Sequence, residues 1–87
     1  MIGQNANSPV FSVVGQVKRP GRYDLRDNVR VADAIERAGG FRDSADQERI
    51  AIVRGTQRHI FNYRDFLLGK NIEDNLLLED GDVVYVR

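Results

Sequence analysis

At 87 residues the chain is long enough for one domain with one modest core and too short for two. It carries 13 basic and 13 acidic side chains, so no net field draws it to nucleic acid or anionic lipid, and any electrostatic recognition has to be local. The absence of cysteine excludes disulfide staples, thiolate catalysis and thiolate metal sites, and no apolar run approaches the roughly 20 residues of a membrane span.

The opening, "MIGQNANSPV", has neither the basic nor the apolar region of a targeting signal, so residues 1–9 read as a polar tail or linker and residues 10–87 as the domain. The chain also stops on the strand-like "DVVYVR", which suggests a domain taken from a longer protein. From Val10 to Val17, Phe11, Val13 and Val17 share one face at period two, and Gly15 leaves a gap where another backbone can approach. "KRPGRY" places proline and glycine at the second and third positions of a turn, so a type II reversal is expected over Arg19 to Arg22, followed by a short strand from Arg22 to Leu25.

In "VRVADAIERAGGF", Val31, Ala34, Ile35 and Ala38 recur at the spacing of one helical face, while Asp33, Glu36 and Arg37 take the other. Gly39 suits the left-handed position that stops this helix, but Arg30 is a poor residue to start it. After a polar loop, "RIAIVR" and "RHIFNY" read as paired strands across a turn at Gly55-Thr56-Gln57. Asn62 caps a short helix in "YRDFLLG" that Gly69 closes. In the last stretch Val84 and Val86 share one face and Val83 and Tyr85 the other, which predicts a central strand. The order predicts an α+β fold of β-grasp type: a mixed sheet curled around one main helix, a second short helix, and the last strand beside the first.

Chemistry is hard to assemble from these residues. His59 is the single histidine and falls in a strand, and the serines at 8, 12 and 44 offer it no obvious nucleophile partner, so no catalytic residue is assigned. Glu79, Asp80 and Asp82 in "EDGD" lack the spacing of a calcium loop and read as a turn, and Asp43, Asp46 and Glu48 are weighed the same way. No metal or cofactor is expected. "AGGF" follows a helix, whereas a phosphate cradle must precede one. The remaining candidate is the cationic cluster of Lys18, Arg19, Arg22 and Tyr23 on the first hairpin, with Arg26 beyond it: cations beside an aromatic can bind phosphate, carboxylate or a sugar ring, best an acidic saccharide, although charges at a turn are usually plain solvated surface. Nucleic acid is not an expected partner, since only one aromatic is plausible there.

Taken in order, "VVGQVKRPGRYDL", "VADAIERAGGF", "RIAIVRG", "IFNYRDFLLG" and "NLLLEDGDVVYV" resemble the soluble-ligand-binding β-grasp (SLBB) domain of outer-membrane polysaccharide export proteins of the Wza type, from about Val10 to the last residue. The resemblance implies fold roles for Gly15, Pro20 and Gly21 in the first hairpin, Asp33, Ala34 and Ile35 in the helix, Gly39 and Gly40 at its end, and Gly81 and Asp82 in the final turn. Arg30 and Asn62 depart from the family, which usually shows threonine or serine and aspartate there. It further implies a periplasmic domain of an oligomeric outer-membrane lipoprotein that exports capsular or exopolysaccharide. The implied role is a ring-forming structural and interaction module, a scaffold whose expected partners are other copies of the subunit and the inner-membrane export machinery, with direct contact of the polysaccharide through Lys18 to Tyr23 as the alternative and membrane contact only through other parts of the full protein. Related domains occur in competence DNA-uptake proteins, a respiratory-complex subunit and cobalamin-binding proteins.

Overall fold

The computed structural model describes residues 8–87, so residues 1–7 of the expected polar tail lie outside the described residues. The described residues form five strands: β1 (Val10–Gly15), β2 (Gly21–Asp24), β3 (Ile50–Arg54), β4 (Gln57–Phe61) and β5 (Val83–Val86). They form one sheet in the order β2-β1-β5-β3-β4, with β1 and β5 parallel and every other pair antiparallel. The closing strand thus lies at the centre of the sheet and beside the first, as the sequence pattern predicts.

One face of this sheet is covered. Helix α1 (Val31–Arg37) contributes Val31, Ala34 and Ile35, together with Ala38, to a core that also contains Phe11, Val13, Ile50, Ile52, Phe61, Val84 and Val86. Burying each of the Val, Ile and Phe side chains contributes about 1.5–3 kcal/mol, so this cluster is the main source of stability. The second short helix, α2 (Tyr63–Leu67), leans on the core through half-buried aromatics: Tyr63 meets Phe61 and Phe41 edge-on, and Phe66 lies 5.6 Å from Phe61. Asn62 caps α2 as expected, its Oδ1 accepting the Asp65 backbone N–H at 3.0 Å, and Gly69 follows with φ +78°.

Gly15 behaves as its place in the strand predicts. Its φ is +95°, and a Cβ there would fall inside the Val86 carbonyl oxygen, to which the Gln16 N–H donates at 2.8 Å. The turn after it differs from expectation. The connection runs through residues 16–20, β2 begins at Gly21, and the φ of Gly21, 156°, is far from the positive value near +80° of a type II turn. The cause is tertiary: the Lys18 and Arg19 N–H groups donate to Gly40 and Ala38 O, drawing the segment onto the end of α1, while Val17 bridges to Phe41. Leu25 ends outside β2, its N–H bound to Pro9 O.

The weak start of α1 is repaired from a distance. Asn75, buried just after the 3₁₀ turn Ile72–Asp74, accepts the Ala32 N–H at 2.9 Å on Oδ1, and Leu76 O accepts the Val31 N–H. Asp33 takes the Arg30 N–H at 3.0 Å, and the Arg30 guanidinium donates to Asn75 O. These contacts satisfy donors that the arginine side chain at position 30, which has no acceptor, cannot serve.

Candidate functional site

The structure distributes the four hairpin candidates over different surroundings. Tyr23 lies opposite Phe11 on the core face of the sheet, stacked at 5.6 Å, and its hydroxyl donates to Arg19 O. Arg37 covers both rings at 5.4 and 5.5 Å. Arg19 reaches back toward Arg37 O at 3.4 Å and packs, with Lys18, over Gly39. Arg22 faces the other way: it is opposite Ser12, on the uncovered side of the sheet. None of the four lines the clefts at Ser8–Arg26, Asp46–Arg87 or Asp24–Arg37.

The acidic residues of "EDGD" are engaged within the fold. Asp82 is 1% exposed and accepts Arg54 Nε at 3.0 Å, Arg54 Nη2 at 2.7 Å and the Glu79 N–H at 2.8 Å. Arg54 also pairs with Glu79 at 3.2 Å and donates to Leu77 O, while Asp80 accepts the Val10 N–H. Hydrogen bonding to Asp82 raises the Arg54 pKa above its ordinary value; partial burial opposes this, and the charges of Asp82 and Glu79 reinforce it. This guanidinium therefore stays protonated at any usable pH and ties the end of β3 to the turn before β5.

His59 pairs with Ile52, so it sits on the core side of β4, half-buried. Ser12 lies on the opposite face of β1, two strands removed across β5 and β3, and Ser44 donates to Gln16 Oε1. Neither Ser12 nor Ser44 is brought to His59.

The other face of the sheet is left uncovered. Register places Ile60, Ala51, Tyr85 and Val14 side by side across four strands, with Arg58, Val53, Val83 and Ser12 in the next row and Arg22 at its far edge. Ile60 is 50% exposed, Tyr85 39% and Val53 36%. At the edge of this face, Asp46, Arg49, Arg58, Ile60 and Arg87 line a cleft of about 370 Å³. Sequence reasoning passed over these arginines because they are distant along the chain. The signal was available: the two-residue turn Gly55-Thr56 sets Arg58 opposite Val53, and alternation then puts it on one face with Ile60.

The family model for the SLBB domain matches residues 10–64, more than half of the chain. The chain is also similar to ComE operon protein 1 of Bacillus subtilis (strain 168), with 42% identity over 44 residues; the match takes in 51% of this chain and 22% of that protein. The chain thus corresponds to a minor part of that relative's length. It belongs to the SLBB domain family.

Proposed function

We propose that this SLBB domain is a non-catalytic interaction module within a longer polysaccharide export protein, acting in the periplasm by joining copies of the subunit into a ring and meeting the inner-membrane export machinery. The observation that carries the interaction role is a short segment with three large aliphatic side chains left in water: Leu67, Leu68 and Ile72 are 63%, 71% and 59% exposed. They stand at the end of helix α2, which buries none of its residues, and just beyond it. Large apolar side chains exposed this close together along the chain suit a contact surface. The choice of export rests on the resemblance of the five motifs, which continues through "NLLLEDGDVVYV", beyond the end of the family-model match at residue 64.

A second reading, a domain of a DNA-uptake protein, is favoured by the similarity to ComE operon protein 1 and by the occurrence of related domains in competence proteins. One experiment separates them. The domain is deleted in frame from the full-length gene, and surface polysaccharide and uptake of labelled DNA are both measured. Loss of polysaccharide with normal DNA uptake is the expected result; the converse would replace export by uptake. Leu67→Ser with Leu68→Ser in the intact gene should weaken subunit assembly while leaving the domain folded.

A further inference from the structure

The cleft at the open edge of the sheet has features that the scaffold role leaves unused. Arg49, Arg58 and Arg87 all have exposed side chains, and none has a carboxylate within ion-pair distance among the described residues. Three of the other eight arginines pair with carboxylates, Arg26 with Asp24, Arg54 with Asp82 and Glu79, and Arg64 with Glu48, so what sets the cleft apart is the convergence of three unpaired guanidinium groups on one lining. The acid in the cleft, Asp46, is turned to its own loop, its Oδ1 accepting the Glu48 N–H at 3.0 Å. Its backbone N–H donates to Arg87 O at 2.7 Å, which pins the rim of the cleft to the end of β5.

Ile60 lies among these cations in the lining, and Tyr85 lies outside the lining in the same cross-strand row, two strands from Ile60 with Ala51 between them and two residues before Arg87. Arg49 adjoins the Ala51 end of that row and Arg58 lies beyond Ile60 on the other side. Strand rise puts the two arginine positions roughly 13 Å apart along β4, enough for a short oligomer rather than a single small anion. Guanidinium forks bind carboxylates bidentately, and the row Ile60, Ala51, Tyr85 provides a flat apolar surface for the C–H faces of rings. A nucleic-acid strand would call for several stacking aromatics along a longer basic track, and this face has one exposed tyrosine.

We propose that this cleft binds carboxylate-bearing saccharide, with Arg49, Arg58 and Arg87 holding the carboxylates and Tyr85 and Ile60 supporting the sugar rings. The inference rests on the export reading for the choice of saccharide. It places the sugar contact on the face opposite the Tyr23 stack.

The test is a residue-resolved NMR titration of the 87-residue chain with trigalacturonate, maltotriose, hexathymidylate and inorganic phosphate, each to millimolar concentration. Saturable shifts at Arg49, Arg58, Ile60 and Tyr85 with trigalacturonate, and none with maltotriose, are expected. Arg49→Ala combined with Arg58→Ala should weaken that binding at least tenfold with an unchanged melting temperature, whereas Arg22→Ala should leave it alone. No shift with trigalacturonate overturns the inference and leaves the scaffold role standing. Saturation by phosphate alone reduces the cleft to a small-anion site and overturns it too. Hexathymidylate binding there in place of trigalacturonate overturns both the inference and the export reading.

Discussion

Removing Arg54 should cost more than removing Asp82, although the two share one ion pair. Asp82 is 1% exposed and Arg54 27%, so the two halves of the pair are left in different environments when the other is deleted. In Arg54→Ala the carboxylate stays buried with the Glu79 N–H as its remaining hydrogen-bond donor, and stranding a buried charge costs about 3–5 kcal/mol. In Asp82→Ala the guanidinium keeps Glu79, Leu77 O and access to water, so the loss is that of charge-assisted hydrogen bonds, about 1.5–3 kcal/mol. A chain of this length has roughly 4–13 kcal/mol of total stability, so Arg54→Ala removes a large part of it, with a fall in melting temperature of at least about 12 °C. Urea unfolding followed by far-UV circular dichroism measures both variants. The double variant sharpens the test: deleting Asp82 in the Arg54→Ala background removes the stranded charge and should restore stability. Equal costs for the single variants, or a double variant worse than Arg54→Ala, would refute the account.

Asn75→Ala should destabilise the domain by about 1–2 kcal/mol through loss of the acceptor for the Ala32 N–H, and Asn75→Asp, which keeps that acceptor, should cost less; denaturant midpoints distinguish them. Gly15 and Gly40 both have positive φ, but only at Gly15 does a Cβ meet a carbonyl, so Gly40→Ala should cost about 1–2 kcal/mol and Gly15→Ala clearly more, with faster amide exchange where β1 meets β5. The two tyrosines on the sheet should separate: Tyr23→Ala loses a stack against the core and costs about 2–3 kcal/mol, Tyr23→Phe about 1 kcal/mol, and Tyr85→Ala lowers trigalacturonate affinity with a melting temperature close to that of the unchanged chain. Thermal melts beside the titration check all three, and a Tyr85→Ala melt lower than that of Tyr23→Ala would reverse the assignment of the two faces.

Much of the fold was legible because its signals are local. Period two in "VFSVVG", the helical spacing of Val31, Ala34, Ile35 and Ala38, and the Asn62 cap each need only a few neighbouring residues. The start of α1 was not legible, since its cap comes from Asn75, which lies 43 residues from the Ala32 N–H it accepts. The hairpin turn departs from its local signal for a related reason. Proline and glycine in "KRPGRY" suit a tight reversal, but the backbone donors of Lys18 and Arg19 find better acceptors at the end of α1, and tertiary contacts override the local preference. The two apolar sides of β5 identified a central strand, yet centrality in a ladder and coverage on both faces are separate properties; here Val84 and Val86 are buried while Tyr85 remains 39% exposed.

The same distinction bears on where a sheet protein can recognise a ligand. Successive residues in a strand point to opposite faces, so Arg22 and Tyr23, adjacent in sequence, cannot serve one surface from within β2. Tyr23 joins the core, and Arg22 belongs to the open face at the edge remote from β4. A surface on a sheet is built from alternate residues and their cross-strand partners. Arg58 and Ile60 satisfy that rule within β4, Tyr85 joins their face through its pairing with Ala51, and Arg49 and Arg87 continue the alternation past the strand ends. Charges scattered over the last half of the chain thereby become neighbours, while the compact run from Lys18 to Tyr23 is divided between two faces and a loop. In a chain with no net charge, it is this sorting by register that produces a locally cationic surface.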